Sequence, residues 1–238
     1  MTRLVLLPGM DGTGNLFDAF IDALDNDLAA QVVRYPTQAP LDYAALEAFV
    51  AKLLPVDEPY VLLGESFSGP IAVSLAASQP PQLKGVVLCC SFVKNPHPYF
   101  AGLKSILAAL PLSWVPVHVA AHFVLGKFSS SARRTRLTAA LKNVSTDALR
   151  ARIGAVLGVD VTEKLCSVKV PLLYLRATQD HLIPRSASEW IEASLPTTRI
   201  VELKAPHFLL QVVPMEAAKL IGSFVRECCN PTHKLKPQ

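Results

Sequence analysis

The chain has 238 residues, 51% hydrophobic and 18% charged, which argues against a disordered chain and supplies enough apolar mass for one sizeable core. The formal net charge is +4 at a sequence pI of about 8.8, with no long Lys/Arg run interleaved with aromatics, so nucleic acid is not an expected partner. Five cysteines (Cys89, Cys90, Cys166, Cys228 and Cys229) lack a C-x-x-C spacing; they read as small buried hydrophobes of a reducing cytosol, so no disulfide framework or zinc site is expected and the predicted location is cytoplasmic.

Short β-rich runs alternate with longer helical patterns, which predicts an α/β fold: a mostly parallel six-stranded sheet flanked by helices. The first strand is read at 3–7 (RLVLL), and the Gly-rich loop PGMDGTGN follows it. A helix at 16–24, a strand at 31–35 and an amphipathic helix at 42–54 come next. The third strand, 59–64, runs directly into ESFSGP, with a helix expected just after the serines, and the fourth strand is 84–90. Residues 97–165 then break the alternation and read as helices only, the expected form of a small lid inserted into the core. Within this segment residues 105–126 carry no formal charge, a length that could cross a bilayer. Pro111 and Pro116 interrupt that stretch and Ser113, His118 and His122 add polar groups, so short apolar helices are expected and stable membrane insertion is not. The basic stretch 131–142 reads as a solvated helix face. Strands at 171–177 and 199–204, each followed by a helix (186–195 and 215–228), complete the pattern. The predicted organisation is a core of 1–96 and 166–230, a lid of 97–165, and a frayed tail of 231–238. The opening apolar run is too short for a secretory signal.

Ligands of a parallel α/β sheet bind at the carboxyl ends of the strands, so the stretch VLLGESFSGP, residues 61–70, carries the first candidate. A serine on a tight strand-to-helix turn projects its hydroxyl away from the sheet and sits near free helix N–H groups. Such a turn crowds the residues two before and two after it. Centred on Ser66, those positions are Gly64 and Ser68, both small; centred on Ser68, one of them is Pro70, whose ring suits the first turn of the helix instead. Ser66 is therefore the candidate nucleophile, and Ser68→Ala is expected to keep most activity.

GESFSG resembles the G-x-S-x-G elbow of the α/β-hydrolase superfamily, with the second glycine displaced from Ser68 to Gly69. The resemblance implies an acid and a histidine later in the chain, in that order. TQDHLIP after the fifth strand offers Asp180, and APHFLLQVVP after the sixth offers His207. Taken singly, Asp180 also fits a turn with Pro184 or a cap for the helix near Ser186, and His207 also fits an ordinary loop. Asp160 is the second-choice acid, lying before the fifth strand; His181 neighbours Asp180, and His97, His118, His122 and His233 fall at the lid or in the tail. The resemblance further implies two oxyanion donors, the Phe67 amide and the Met10 amide of the loop PGMDGTG, where many relatives carry His-Gly and this chain has Pro8-Gly9. That loop is similar to a plant esterase/acyltransferase branch that includes phytyl ester synthases. Asp11 is expected to shape the turn, with contact to substrate as the alternative. The implied activity is hydrolysis of a small-molecule carboxylic ester or thioester with an apolar acyl group, through a Ser66–His207–Asp180 triad and an acyl-enzyme, with no metal or cofactor. An acyltransferase using the same triad and a non-catalytic ligand-binding protein of this fold are the alternatives.

Overall fold

The computed structural model describes residues 2–99 and 117–229. Its six strands are β1 (Arg3–Leu7), β2 (Ala29–Val32), β3 (Tyr60–Glu65), β4 (Leu83–Cys89), β5 (Leu172–Ala177) and β6 (Arg199–Leu203). They form one sheet in the order β2-β1-β3-β4-β5-β6, parallel throughout. The helices of the described residues are α1 (Asp18–Ile21), α2 (Tyr43–Ala51), α3 (Gly69–Ala77), α4 (Val117–Leu125), α5 (Ser131–Lys142), α6 (Thr146–Gly158), α7 (Thr162–Cys166), α8 (Arg185–Ser194), α9 (Leu209–Val212) and α10 (Pro214–Cys229).

The central strands carry near-continuous apolar runs, Leu4–Leu7, Tyr60–Leu63, Val86–Cys89 and Leu172–Leu175, because both sheet faces are covered. Val5, Leu7, Leu62, Val86 and Leu88 point into one cluster with residues of α2 and α3. Their neighbours Leu4, Leu6, Val61, Leu63 and Val87 point into the other, with Phe20 of α1 and Phe224 of α10. From β1 the chain departs toward one face, and from β3 toward the other. The sheet therefore has its switch point between β1 and β3, and ligands of such sheets bind at the carboxyl ends of the strands there. The register pairs Leu7 with Gly64, which sets Pro8 and Gly9 beside Glu65 and Ser66.

Several expectations shift. The second strand begins two residues and ends three residues earlier than 31–35, and the Tyr35 N–H donates to the Gly12 carbonyl (2.8 Å), drawing the chain off the sheet toward the β1 loop. The helix expected at 16–24 is a 3₁₀ turn at Asn15–Phe17 followed by the single turn of α1. All five cysteines are free; Cys89 and Cys90 are buried as expected, but Cys166 is exposed where it ends α7, and Cys228 and Cys229 at the end of α10 are only half-buried. Among the described residues the segment between β4 and β5 is helical, α4 to α7 with a 3₁₀ turn at Gly126–Phe128, apart from one isolated bridge between Lys94 and Asp160. Ala121, Leu125 and Leu137 of this segment form a small cluster against Phe208 and Val212. Among the described residues no helix is long and apolar enough to cross a membrane. Most of the uncharged stretch, with Trp114, and the tail 231–238 with His233 lie outside the described residues.

Candidate active site

β3 ends at Glu65, and the chain turns through Ser66–Ser68 into α3. Ser66 holds a left-handed φ of 49°, a strained value for a residue with a Cβ. The crowding inferred from the sequence is present: a Cβ on Gly64 would lie 2.8 Å from the Ser68 carbonyl oxygen. Gly69 is required for a different reason, because a Cβ there would lie 1.8 Å from Ser91 Oγ. That approach lets the Ser91 hydroxyl donate to the Ser66 carbonyl at 2.5 Å, while the Tyr43 hydroxyl donates to the Phe67 carbonyl at 3.0 Å. The turn is thus held from both sides.

His207 follows β6 and is buried at 4% exposure. Its Nε2 lies 2.8 Å from Ser66 Oγ, and its Nδ1 lies 2.8 Å from Asp180 Oδ2. The second Asp180 oxygen, Oδ1, accepts the Leu182 and Ile183 N–H groups at 2.8 Å each. The turn-shaping reading of Asp180 and the histidine-facing one are therefore both satisfied, one per oxygen. Burial alone would raise the Asp180 carboxyl, but His207 and the two N–H donors outweigh it and hold the group below its usual range. The structure thus brings together the side chains of residues 66, 180 and 207. It does not bring Asp160, which is exposed and accepts from the backbone N–H and hydroxyl of Thr162. His181 and His122 are exposed, and His97 Nε2 sits 2.7 Å from the Leu182 carbonyl.

The loop after β1 is fixed plane by plane. The Pro8 carbonyl accepts from the fully buried Ser68 hydroxyl, which also meets the Tyr35 hydroxyl at 2.6 Å. The Gly9 N–H faces the Glu65 carboxyl. The Gly9 carbonyl accepts from the Gly12 N–H at 3.0 Å, so across the trans peptide the Met10 N–H is directed the opposite way. The Met10 and Asp11 carbonyls both accept from Arg152 Nη1, at 2.8 and 2.9 Å, while Arg152 Nη2 donates to the Pro36 carbonyl. Arg152 reaches in from α6, is 1% exposed, and occupies the space a Cβ on Gly12 (φ 69°) would need. Asp11 shapes the turn as expected, its Oδ2 accepting the Thr13 N–H at 2.9 Å and the Thr13 hydroxyl at 2.5 Å. Neither the Met10 nor the Phe67 N–H donates within the described turns and loops.

Four participants went unread in the sequence: Glu65, the Ser68 hydroxyl, Arg152 and Gln211. Glu65 and Ser68 were visible as neighbours of Ser66, but nothing in their type announces a partner. Arg152 and Gln211 act across 141 and 146 positions of chain, beyond any spacing rule. Glu65 is 6% exposed and burial pushes its carboxyl up to about 7, with Asp11 adding to the rise; Gln211, His207 and the Gly9 N–H act the other way. Cys90, Asp180 and His207 form the one grouping among the described residues with metal-ligand atoms close together, within 4.8 Å. Both His207 nitrogens are already engaged there, by Asp180 and Ser66, and burial pushes the Cys90 thiol up. A cavity of about 450 Å³ borders the site through Phe208 and Gln211; Leu16, Ala19 and Val212 give it apolar walls, and Arg133 and Arg136 line one side.

The sequence profile described as serine aminopeptidase, S33, matches residues 38–207. A pimeloyl-[acyl-carrier protein] methyl ester esterase of Aromatoleum aromaticum is 27% identical over 244 residues, covering 94% of this chain and 98% of that protein. Among solved structures, a hydrolase from Pseudomonas aeruginosa superposes with a TM-score of 0.80 at 22% identity, covering 94% of this chain and 89% of that one. An esterase from Exiguobacterium antarcticum gives a TM-score of 0.81 at 14% identity, covering 95% and 92%. With the parallel sheet and a profile match over more than half its length, the chain belongs to the serine aminopeptidase S33 family of the α/β-hydrolase superfamily and is an esterase-like hydrolase.

Proposed function

We propose that the protein is a serine hydrolase that cleaves a carboxylic ester or thioester through an acyl-enzyme on Ser66. The observation that carries this reading is the unbroken hydrogen-bond chain Ser66–His207–Asp180, with 2.8 Å at each link. His207 Nε2 accepts the Ser66 proton as Oγ bonds to the substrate carbonyl carbon, and the carbonyl oxygen becomes an oxyanion facing the Phe67 and Met10 N–H groups. As the tetrahedral species collapses, the bond to the leaving alcohol or thiol breaks, and that group departs with the proton from His207. Water then attacks the acyl carbon, gives its proton to His207, and frees the acid when Ser66 recovers a proton. Asp180 stays ionised throughout, fixing the imidazole tautomer and offsetting its transient charge. No metal or cofactor enters these steps.

The substrate on this reading is a small-molecule ester with an apolar acyl group, which the cavity beside Phe208 would receive. The methyl ester esterase relatives support ester chemistry, and the packing of Ala121, Leu125 and Leu137 on Phe208 and Val212 supports residues 97–165 as its lid. The test is labelling of the folded protein with a fluorophosphonate and location of the adduct by mass spectrometry. An adduct on Ser66, abolished in Ser66→Ala together with turnover of nitrophenyl esters, is the expected result. Folded protein that remains unmodified, or carries its adduct at another serine, overturns the assignment. Product analysis with an added alcohol separates hydrolysis from acyl transfer to that acceptor.

A further inference from the structure

The site contains a buried acid that the proposed steps do not use. Glu65 precedes Ser66, yet its carboxyl points back between two other elements. It faces the Gly9 N–H of the β1 loop, and its Oε1 accepts from Gln211 Nε2 of α9 at 2.8 Å. One carboxylate thus ties the strand carrying Ser66 to the loop carrying the Met10 amide and to the helix that starts two residues after His207. The groups facing it are Asp11 from the β1 loop, His207 from the loop after β6 and Cys89 from β4, whose thiol burial pushes up.

We propose, on the strength of the Ser66 reading, that Glu65 is a positioning residue whose ionised carboxylate sets the β1 loop and α9 for acyl transfer, so that activity declines when it takes up a proton. Two N–H donors converge on this carboxyl, which suits an acceptor-only carboxylate. Protonation turns one oxygen into a donor that must find an acceptor. One candidate on the same amide is Gln211 Oε1, which is buried with no hydrogen-bond partner among the described residues. Meeting it requires the Gln211 amide to turn over, which withdraws the Nε2 donor and disturbs α9 next to His207. The negative charge of Glu65 also favours the imidazolium that forms transiently on His207. Burial places the proton uptake at about 7, within the working range of an imidazole base.

The experiment is a kcat and kcat/KM profile between about pH 5 and 9 on a neutral nitrophenyl ester, for wild type, Glu65→Gln and Gln211→Met, with active sites counted by fluorophosphonate titration. Loss of the Glu65 charge should make the wild-type acid limb steeper near neutral pH than the ~10-fold per pH unit of a single protonation, the slope expected in Glu65→Gln. At pH 8 kcat in Glu65→Gln should fall by about 10-fold with KM within about twofold, a positioning loss. Gln211→Met removes a donor that favours the ionised form, so its acid limb should move to higher pH. A Glu65→Gln protein that keeps wild-type kcat overturns the proposal. So does one with lower kcat but an unchanged acid limb, which marks a merely structural prop. Both results are read on wild-type protein that is active and labelled at Ser66; wild type failing there defeats the nucleophile assignment itself and takes this inference down with it.

Discussion

Ser68 and Ser66 differ by two positions and serve the turn in opposite ways. Ser66 presents its hydroxyl to His207, whereas Ser68 turns its own inward to the Pro8 carbonyl and Tyr35. Read by size alone, Ser68 is replaceable by alanine; its buried hydrogen bonds say otherwise. Ser68→Ala should cost about 1–3 kcal/mol in urea unfolding and lower kcat without abolishing it, because the β1 loop loses one of its anchors. Glu65 makes a separate prediction about stability. Its carboxyl is raised from 4.5 to about 7, chiefly by burial. The folded state therefore binds the proton more tightly than the unfolded chain, and this stabilising contribution is complete below pH 4.5 and lost as pH rises through 7. By pH 8 the penalty is about 3 kcal/mol on the scale of 1.36 kcal/mol per pKa unit. Glu65→Gln should thus be more stable than wild type at pH 8, with the advantage shrinking at pH 5. Denaturant melts at the two values check it, and a variant less stable at pH 8 than at pH 5 relative to wild type would refute the sign. Stability surrendered at a buried acid beside Ser66 is the pattern expected of a functional position.

At the scale of elements, the β1 loop is the part most in need of outside support. It has no ladder of its own beyond Leu7, so Ser68, Glu65, Gly12 and Arg152 take its polar groups in turn. Arg152 is the most distant of these, and it comes from α6, inside the segment read as a lid. The guanidinium satisfies three carbonyls, those of Met10, Asp11 and Pro36. Arg152→Met keeps most of the volume but orphans all three, and should cost about 3 kcal/mol or more in unfolding free energy with a fall in kcat larger than any change in KM. A variant with unchanged kcat per labelled site would mean that the loop holds its shape unaided. The segment between β4 and β5 is thereby pinned to the core at α6 and at the α4–α5 contact with Phe208 and Val212. That contact borders the cavity, so Val212→Trp should shorten the preferred acyl chain in an ester series of increasing length, read as a shift in the kcat/KM maximum.

Across the whole molecule, the sheet separates stability from chemistry. The apolar strand interiors carry the fold, and Ser66, Asp180 and His207 lie past strand ends. A truncation in mid-sheet should therefore weaken folding and leave turnover per active site intact. Leu173→Ala on β5, 1% exposed, is expected to cost about 2–5 kcal/mol by denaturant unfolding, with kcat unchanged when normalised to labelled Ser66 in the folded range. The six strands and the crowded turn at Ser66 were legible in one dimension, because period, punctuation and local crowding are properties of neighbouring residues, whereas Asp180 and His207 were singled out through the resemblance to the α/β-hydrolase superfamily. The ends of the elements drifted where tertiary bonds intervened, as at Tyr35, whose N–H goes to Gly12 instead of prolonging β2. What the chain order alone determined was which residues stand at the mouths of the strands. Only the folded structure decided which of them touch, because hydrogen bonds between Arg152 and Met10, or Gln211 and Glu65, join residues whose separation along the chain carries no signal, and the burial that raises Glu65 exists only once the sheet has closed around it.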